Sequence, residues 1–343
     1  MNNNHSFSVQ SDSGFAPHTG SGKIVPSAFK PSRLLRNRHL QTVLPNIVYP
    51  GARPPLRRER LELPDGDFID VDWTLGGNGP VVIVLHGLEG SIKSHYAARI
   101  MRRIQWLGWR GALLNFRGCS GESNRLPIGY HSGFTQDLEY FTRLLKQREP
   151  ATPLAAIGYS LGGSVLLKWL GESPNSVRLR TAVAVSVPFD LTEASNTVEH
   201  GVSQIYKWTL LGSMRRSSAR KFKHVKAPFP LPKVRKLRSF RDFDNALTAP
   251  LHGFRDADDY YATCSSRQYL RNITVPTLIL HSSDDPLMTP ASVPGEPELS
   301  PAVTLELSHK GGHVGFVNGS LLRPNMWLGM RISRHLQDYL PQN

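Results

Sequence analysis

The sequence predicts an α/β protein: a mainly parallel central sheet with helices on both faces and a helical cap inserted late in the chain. Three observations carry this expectation. Short, largely apolar runs at 81–85, 111–116, 154–157 and 181–187 alternate with segments of helical period, as in a parallel sheet covered on both faces. The first three of these runs close in glycine-rich turns, and ligands of such sheets bind at the carboxyl ends of the strands. From 188 to about 272 the alternation breaks, and it resumes with the apolar run at 276–281.

Composition narrows the class. A length of 343 residues suits two domains, or one large α/β domain with an insertion. No apolar run approaches the roughly 20 residues of a membrane-spanning helix, so a soluble protein is expected. Cys119 and Cys264 are too few for a disulfide framework and lack the paired spacing of a zinc site. A reducing cytoplasm, with no metal and no cofactor, is the simplest expectation. The formal charge of +14 directs attention to residues 207–241, which hold twelve Lys and Arg and no Asp or Glu. A solvated face of a helical insertion is the simpler reading of that block. No zinc-finger or RNA-recognition signature accompanies it, so nucleic acid is not an expected partner. Peripheral contact with an anionic membrane through Lys207 to Arg241 stays open. Nothing in the sequence bears on the oligomeric state.

In chain order, residues 1–24 are rich in Asn, Ser, Gly and His and read as a disordered tail without the features of a secretory signal. Residues 25–56, with many Pro and Arg, read as an N-terminal arm lying across the main domain. Residues 57–187 form the first part of the core. They open with two extended stretches about Pro64-Asp65-Gly66, the mark of an antiparallel hairpin at one edge. The β-branched run 81–85 follows as a central strand, then a helix over 94–107 and the strand 111–116. A helix over 135–147 carries Leu138, Phe141, Leu144 and Leu145 at helical spacing and ends before Pro150. Residues 188–272 are taken as the cap, with an aromatic cluster that includes Phe240, Phe243, Phe254, Tyr260 and Tyr261. Residues 273–343 return to the core with strands at 276–281 and 303–307 and a closing helix over about 324–339.

The chemistry centres on Gly158-Tyr159-Ser160-Leu161-Gly162, between the strand at 154–157 and a helix at 165–170. A G-x-S-x-G turn from strand to helix strains the serine backbone and lifts its hydroxyl above the sheet edge. Such a nucleophile needs oxyanion donors, an acid and a base. The glycine turn His86-Gly87-Leu88-Glu89-Gly90 and the residue after the serine put the donors at the backbone N–H groups of Leu88 and Leu161. His86 precedes the serine and reads as a buttress of its loop. Asp285, which Pro286 biases to extended backbone, is the preferred acid, with Asp284 as its alternative. His313, in a glycine-flanked loop after the last strand, is the base expected from the order Ser, Asp, His; His309 and His335 lie nearby in sequence. Cys119, with no His or acid in a nucleophile arrangement, reads as a small turn filler.

Taken together, these segments resemble the YheT-like family of α/β-hydrolases, relatives of the eukaryotic abhydrolase-domain lipases. The resemblance runs from about Phe29 to Leu340. It rests on Asn37-Arg38-His39-Leu40-Gln41-Thr42, His86-Gly87-Leu88-Glu89-Gly90, Asn115-Phe116-Arg117-Gly118-Cys119-Ser120-Gly121 and Gly158-Tyr159-Ser160-Leu161-Gly162-Gly163. It continues through Phe243-Asp244, Thr248-Ala249-Pro250-Leu251-His252-Gly253-Phe254, Tyr260-Tyr261, Asp284-Asp285-Pro286 and Gly311-Gly312-His313-Val314-Gly315-Phe316. It implies the α/β-hydrolase fold, a triad of Ser160, Asp285 and His313, and hydrolysis of a small-molecule or lipid-like ester. An acyltransferase using the same triad, and a non-catalytic protein presenting the basic block to nucleic acid or anionic membrane, are the alternatives.

Overall fold

A strand that is apolar at every position must be covered on both faces, and the run Val81 to Leu85 shows how. Val81, Ile83 and Leu85 enter one hydrophobic cluster, while Val82 and Val84 enter a second one across the sheet. The computed structural model describes residues 20–48, 51–174, 177–320 and 323–341, and residues 1–19 of the expected tail fall outside them. The chain runs through β1 (Lys23–Pro26), α1 (Arg38–Ile47), β2 (Leu56–Glu62), β3 (Phe68–Thr74), β4 (Val81–Leu85), α2 (His95–Trp106) and β5 (Arg110–Asn115). Next come α3 (Gln136–Arg148), β6 (Leu154–Tyr159), α4 (Leu161–Glu172) and β7 (Thr181–Val185). The cap helices follow: α5 (Leu191–Thr197), α6 (Gln204–Lys221), α7 (Phe240–Phe243), α8 (Ala249–His252) and α9 (Ala257–Cys264). The core closes with β8 (Thr277–Ser282), β9 (Val303–Ser308), β10 (Val317–Gly319), β11 (Pro324–Met326) and α10 (Trp327–Gln337).

Among the described residues, nine strands form one sheet in the order β1-β9-β8-β7-β6-β4-β5-β3-β2. Only β3 runs against its neighbours, as the expected edge hairpin requires. Chain order reverses at β4, which lies between β5 and β6, so the crevice above these strands is the switch point where such sheets bind ligands. The register Leu85↔Gly158 ends β4 and β6 level with one another. That brings the turn after β4 beside the turn after β6. Helices α2 and α10 pack on one face of the sheet, and α3 and α4 on the other.

Three boundaries differ from the sequence expectation. The division at 24/25 between tail and arm cuts through β1, because the edge of β9 accepts a parallel partner there and pairs Lys23 to Pro26. The segment Ser266–Asn272, assigned to the cap by its sequence position, packs on the core: Leu270 joins the same cluster as the residues of α4. The closing helix starts at Trp327, since Pro324 to Met326 pair with Val317 to Gly319 instead. Within the cap, Leu191, Ala257, Tyr260, Tyr261 and Cys264 form one small cluster, and Leu211, Phe243 and Leu247 another. Among the described residues, no helix is long and apolar enough to cross a membrane.

Polar groups also hold the frame. The aspartates of β3 are buried rather than facing solvent, and their charges are met from β2: Arg58 pairs with Asp72 at 2.7 Å and Arg60 with Asp70 at 2.8 Å. Beyond β5, Arg117 is buried and forks onto both oxygens of Asp137, at 2.9 and 2.6 Å, with Asp65 at 2.7 Å. Removing one partner of a buried pair leaves the others charged without compensation. Arg117→Ala is therefore expected to lose about 3–5 kcal/mol of stability, read as a lower denaturant midpoint, whereas Arg143→Ala, in an exposed pair with Glu139, should change it by less than about 1 kcal/mol.

Candidate active site

Ser160 sits between β6 and α4 with φ 52° and ψ −121°, outside the region that side-chain-bearing residues normally occupy. The turn is this tight because the backbones on either side touch. A Cβ at Gly162 would stand 2.4 Å from the His86 carbonyl oxygen, and one at Gly158 would stand 2.4 Å from the Gly162 carbonyl oxygen. The strain directs the Ser160 hydroxyl to the base. His313 Nε2 lies 3.0 Å from Ser160 Oγ, and His313 Nδ1 lies 2.8 Å from Asp285 Oδ2. Asp285 is 1 % exposed while the His313 side chain is 13 % exposed, so the acid is sealed and the imidazole faces the crevice. The other oxygen of Asp285 accepts the Leu287 N–H at 2.9 Å.

The alternative acid has different work. Asp284 Oδ1 accepts the hydroxyl of Ser282 and the backbone N–H of Gly312, at 2.5 and 3.0 Å, so it holds the loop that carries His313. His309 is exposed, and His335 bonds Thr181 at 2.9 Å from inside α10. Neither is brought to Ser160. His86 is buried with its Nδ1 2.7 Å from the Gly87 carbonyl and its Nε2 accepting the Phe116 N–H at 3.2 Å, which requires the proton on Nδ1. Burial pushes its pKa down to about 4, so this imidazole is a neutral brace for its loop. Cys119 is likewise no nucleophile, since burial pushes its thiol up to about 12.

The two expected oxyanion donors lie on one cavity with Ser160 and His313. Leu161 is the first residue of α4, where a backbone N–H has no intrahelical acceptor. Leu88 is framed on both sides: the Gly87 N–H donates to Tyr96 Oη at 2.8 Å and the Glu89 N–H to Tyr130 Oη at 2.7 Å. Glu89 itself has φ 54°, which completes the sharp turn after β4. Two tyrosine hydroxyls thus fix the strip of backbone that presents the Leu88 amide. Sequence reasoning did not find either tyrosine.

It also left the arm without a role. Asn37 caps α1 by accepting the N–H groups of His39 and Leu40, and the helix lies directly against the histidine loop. Thr42 Oγ1 accepts the His313 N–H at 2.9 Å, and Gln41 bonds both the N–H and the carbonyl of Val317, at 2.7 and 2.8 Å. From the turn after β7, Ser186 Oγ accepts the N–H of Val314, which is held at φ 56°. The loop is therefore tied from three directions: the arm, the turn after β7 and Asp284. The only signal in the sequence was the polar run Asn37 to Thr42, whose contacts lie some 270 residues away (271 from Thr42 to His313).

Residues 80–320 match the family model described as alpha/beta hydrolase fold. Over 91 % of this chain and 94 % of the other, the sequence is 42 % identical to YheT of Escherichia coli (strain K12), whose name calls it an esterase provisionally. Phospholipase ABHD3 of Mus musculus is 31 % identical over 86 % of this chain and 75 % of that one. The monoacylglycerol lipase of Saccharomyces cerevisiae (strain ATCC 204508 / S288c) is 30 % identical over 88 % and 68 %. Among solved structures, an esterase of Pyrococcus furiosus superposes with a TM-score of 0.55 over 94 % of this chain and 100 % of that one, at 16 % identity. At that identity the likeness speaks to the fold alone.

Proposed function

The chain belongs to the α/β-hydrolase fold family, in its YheT-like branch, and on that premise we propose that it is a serine hydrolase of carboxylic esters working through Ser160, His313 and Asp285. The observation that carries this reading is the unbroken run of two hydrogen bonds from Ser160 Oγ through the imidazole to Asp285, 3.0 and 2.8 Å long. A strained serine alone would not support it, and neither would a buried aspartate.

In the proposed cycle His313 Nε2 takes the Ser160 proton as Oγ attacks the ester carbonyl. Asp285 accepts from Nδ1–H throughout, which fixes the tautomer that leaves Nε2 basic and stabilises the imidazolium that forms. The carbonyl oxygen becomes an oxyanion, and the Leu88 and Leu161 amides donate to it. Collapse expels the alcohol, which leaves with the proton from Nε2, and Ser160 keeps the acyl group as an ester. A water molecule then loses a proton to Nε2 and attacks the acyl carbon, and the second collapse returns that proton from Nε2 to Ser160 Oγ as the carboxylic acid leaves. The substrate is a small-molecule or lipid-like ester: esterase and lipase are activities named for relatives, and the cavity beside Ser160 is walled mostly by apolar side chains.

The direct test is labelling with a fluorophosphonate probe, which reacts with an activated serine. Wild type is expected to label and Ser160→Ala is expected not to. Equal labelling of the two would remove the mechanism.

A further inference from the structure

The cavity that reaches Ser160 and His313 has Leu191, Val198, Met214 and Met288 among its walls. One stretch of wall on the cap side is polar. It consists of Ser195 on α5, Asp244 in the π-helical turn Asp244–Thr248 that joins α7 to α8, and Tyr261 on α9. Asp244 and Tyr261 belong to the cap motifs that the triad does not use.

Asp244 is 7 % exposed, and its oxygens are bonded to neutral hydroxyls: Thr248 Oγ1 donates to Oδ1 at 2.6 Å and Tyr261 Oη to Oδ2 at 2.7 Å. The nearby cation Arg241 is ion-paired with Asp258. Burial pushes the Asp244 carboxyl up to about 6, and the two hydroxyls that donate to its oxygens favour the ionised form. Counting protons then decides what this wall offers. The single proton of Tyr261 goes to Asp244 at the shorter distance, and Ser195 Oγ lies 3.3 Å from the phenol oxygen. The Thr248 proton also goes to Asp244. Both of these protons are spent on the carboxylate, and among the described residues no cation is bonded to it.

We infer that this polar group, centred on the Asp244 carboxylate, is a specificity-determining site that selects esters carrying a hydrogen-bond donor, an ammonium or a hydroxyl, away from the scissile bond. The inference rests on the ester-hydrolase reading above. A buried carboxylate without a cation is a costly arrangement, and a bound ammonium relieves it by direct pairing. A hydroxyl relieves it in part. A substrate carboxylate meets like charge and is disfavoured. Phe240 and Tyr260, which line the same cavity, suit a cation as well.

The test is kcat/KM for wild type and Asp244→Asn on ethyl heptanoate, the ethyl esters of ω-hydroxy- and ω-aminohexanoic acid, and monoethyl adipate. A second pair, dimethylaminoethyl and 3-methylbutyl hexanoate, carries the same contrast on the alcohol side. In one of the two series wild type is expected to prefer the ammonium ester over its apolar counterpart by about tenfold or more, the size of one charged hydrogen bond. In the acyl series the hydroxy ester should fall between them and the adipate below all. In Asp244→Asn the ammonium-to-apolar ratio is expected to fall at least fivefold. The wild-type ratios stand as a test even if the variant does not fold. Hydrolysis of the apolar esters with no donor preference in either series overturns the inference and leaves the hydrolase reading intact. No hydrolysis of any ester overturns both.

Discussion

Ser160→Ala is expected to lower kcat on a short-chain p-nitrophenyl ester by about a millionfold, with the thermal midpoint close to that of wild type. The size follows from the loss of the covalent route: without Oγ there is no atom for His313 to deprotonate and no acyl-enzyme, and the two remaining triad members gain nothing from their geometry. Some rate above water, about a thousandfold or more, should survive from the oxyanion donors and substrate binding. The stability expectation has its own reason. Alanine keeps the Cβ that serine already places at φ 52°, so the substitution adds no backbone strain and removes only a hydroxyl bonded to His313. A variant that keeps activity within tenfold of wild type would sink the assignment of the nucleophile.

Asp285→Asn is expected to reduce kcat by about ten-thousandfold, and Asp284→Asn by no more than about tenfold. The two neighbours differ in what they hold. Asp285 accepts from His313 Nδ1, and an amide in its place can present an N–H there, which turns the imidazole to the tautomer with its proton on Nε2 and removes the base. Asp284 accepts from Ser282 and Gly312, so its loss loosens the loop without altering the tautomer. Steady-state kinetics on one ester separates the two. If the order of effects were reversed, Asp284 would be the acid and the observed pairing of Asp285 would not represent the working enzyme.

Those two aspartates also show where sequence reasoning is strong and where it stops. Asp285 was preferred on local grounds, the backbone bias imposed by Pro286, and the structure puts its carboxyl against His313. Asp284, adjacent in the chain, accepts the Ser282 hydroxyl and the Gly312 N–H instead, and nothing local reveals the second of these. The arm is a sharper case. Its polar run has no pattern that points at a partner, yet Thr42 and Gln41 hold the histidine loop across most of the chain's length. Asp244 is similar: a single acid beside an aromatic residue in sequence comes to line the cavity beside Ser160 only after α5, α9 and the π-helical turn meet.

What the sequence determined by itself is therefore whatever depends on neighbours within one turn or strand. The apolar runs had to be buried strands, the glycines around Ser160 had to form a tight elbow, and the glycine turns had to lie at the strands' carboxyl ends. The tertiary structure decided the rest: that α1 and Ser186 hold the His313 loop, that Tyr96 and Tyr130 fix the strip bearing Leu88, and that Asp244 lines the cavity beside Ser160. The physical reason is one of range. Burial and backbone sterics act on every residue through its immediate sequence, whereas a hydrogen bond between residues 128 or 271 apart exists only once the sheet has set their distance.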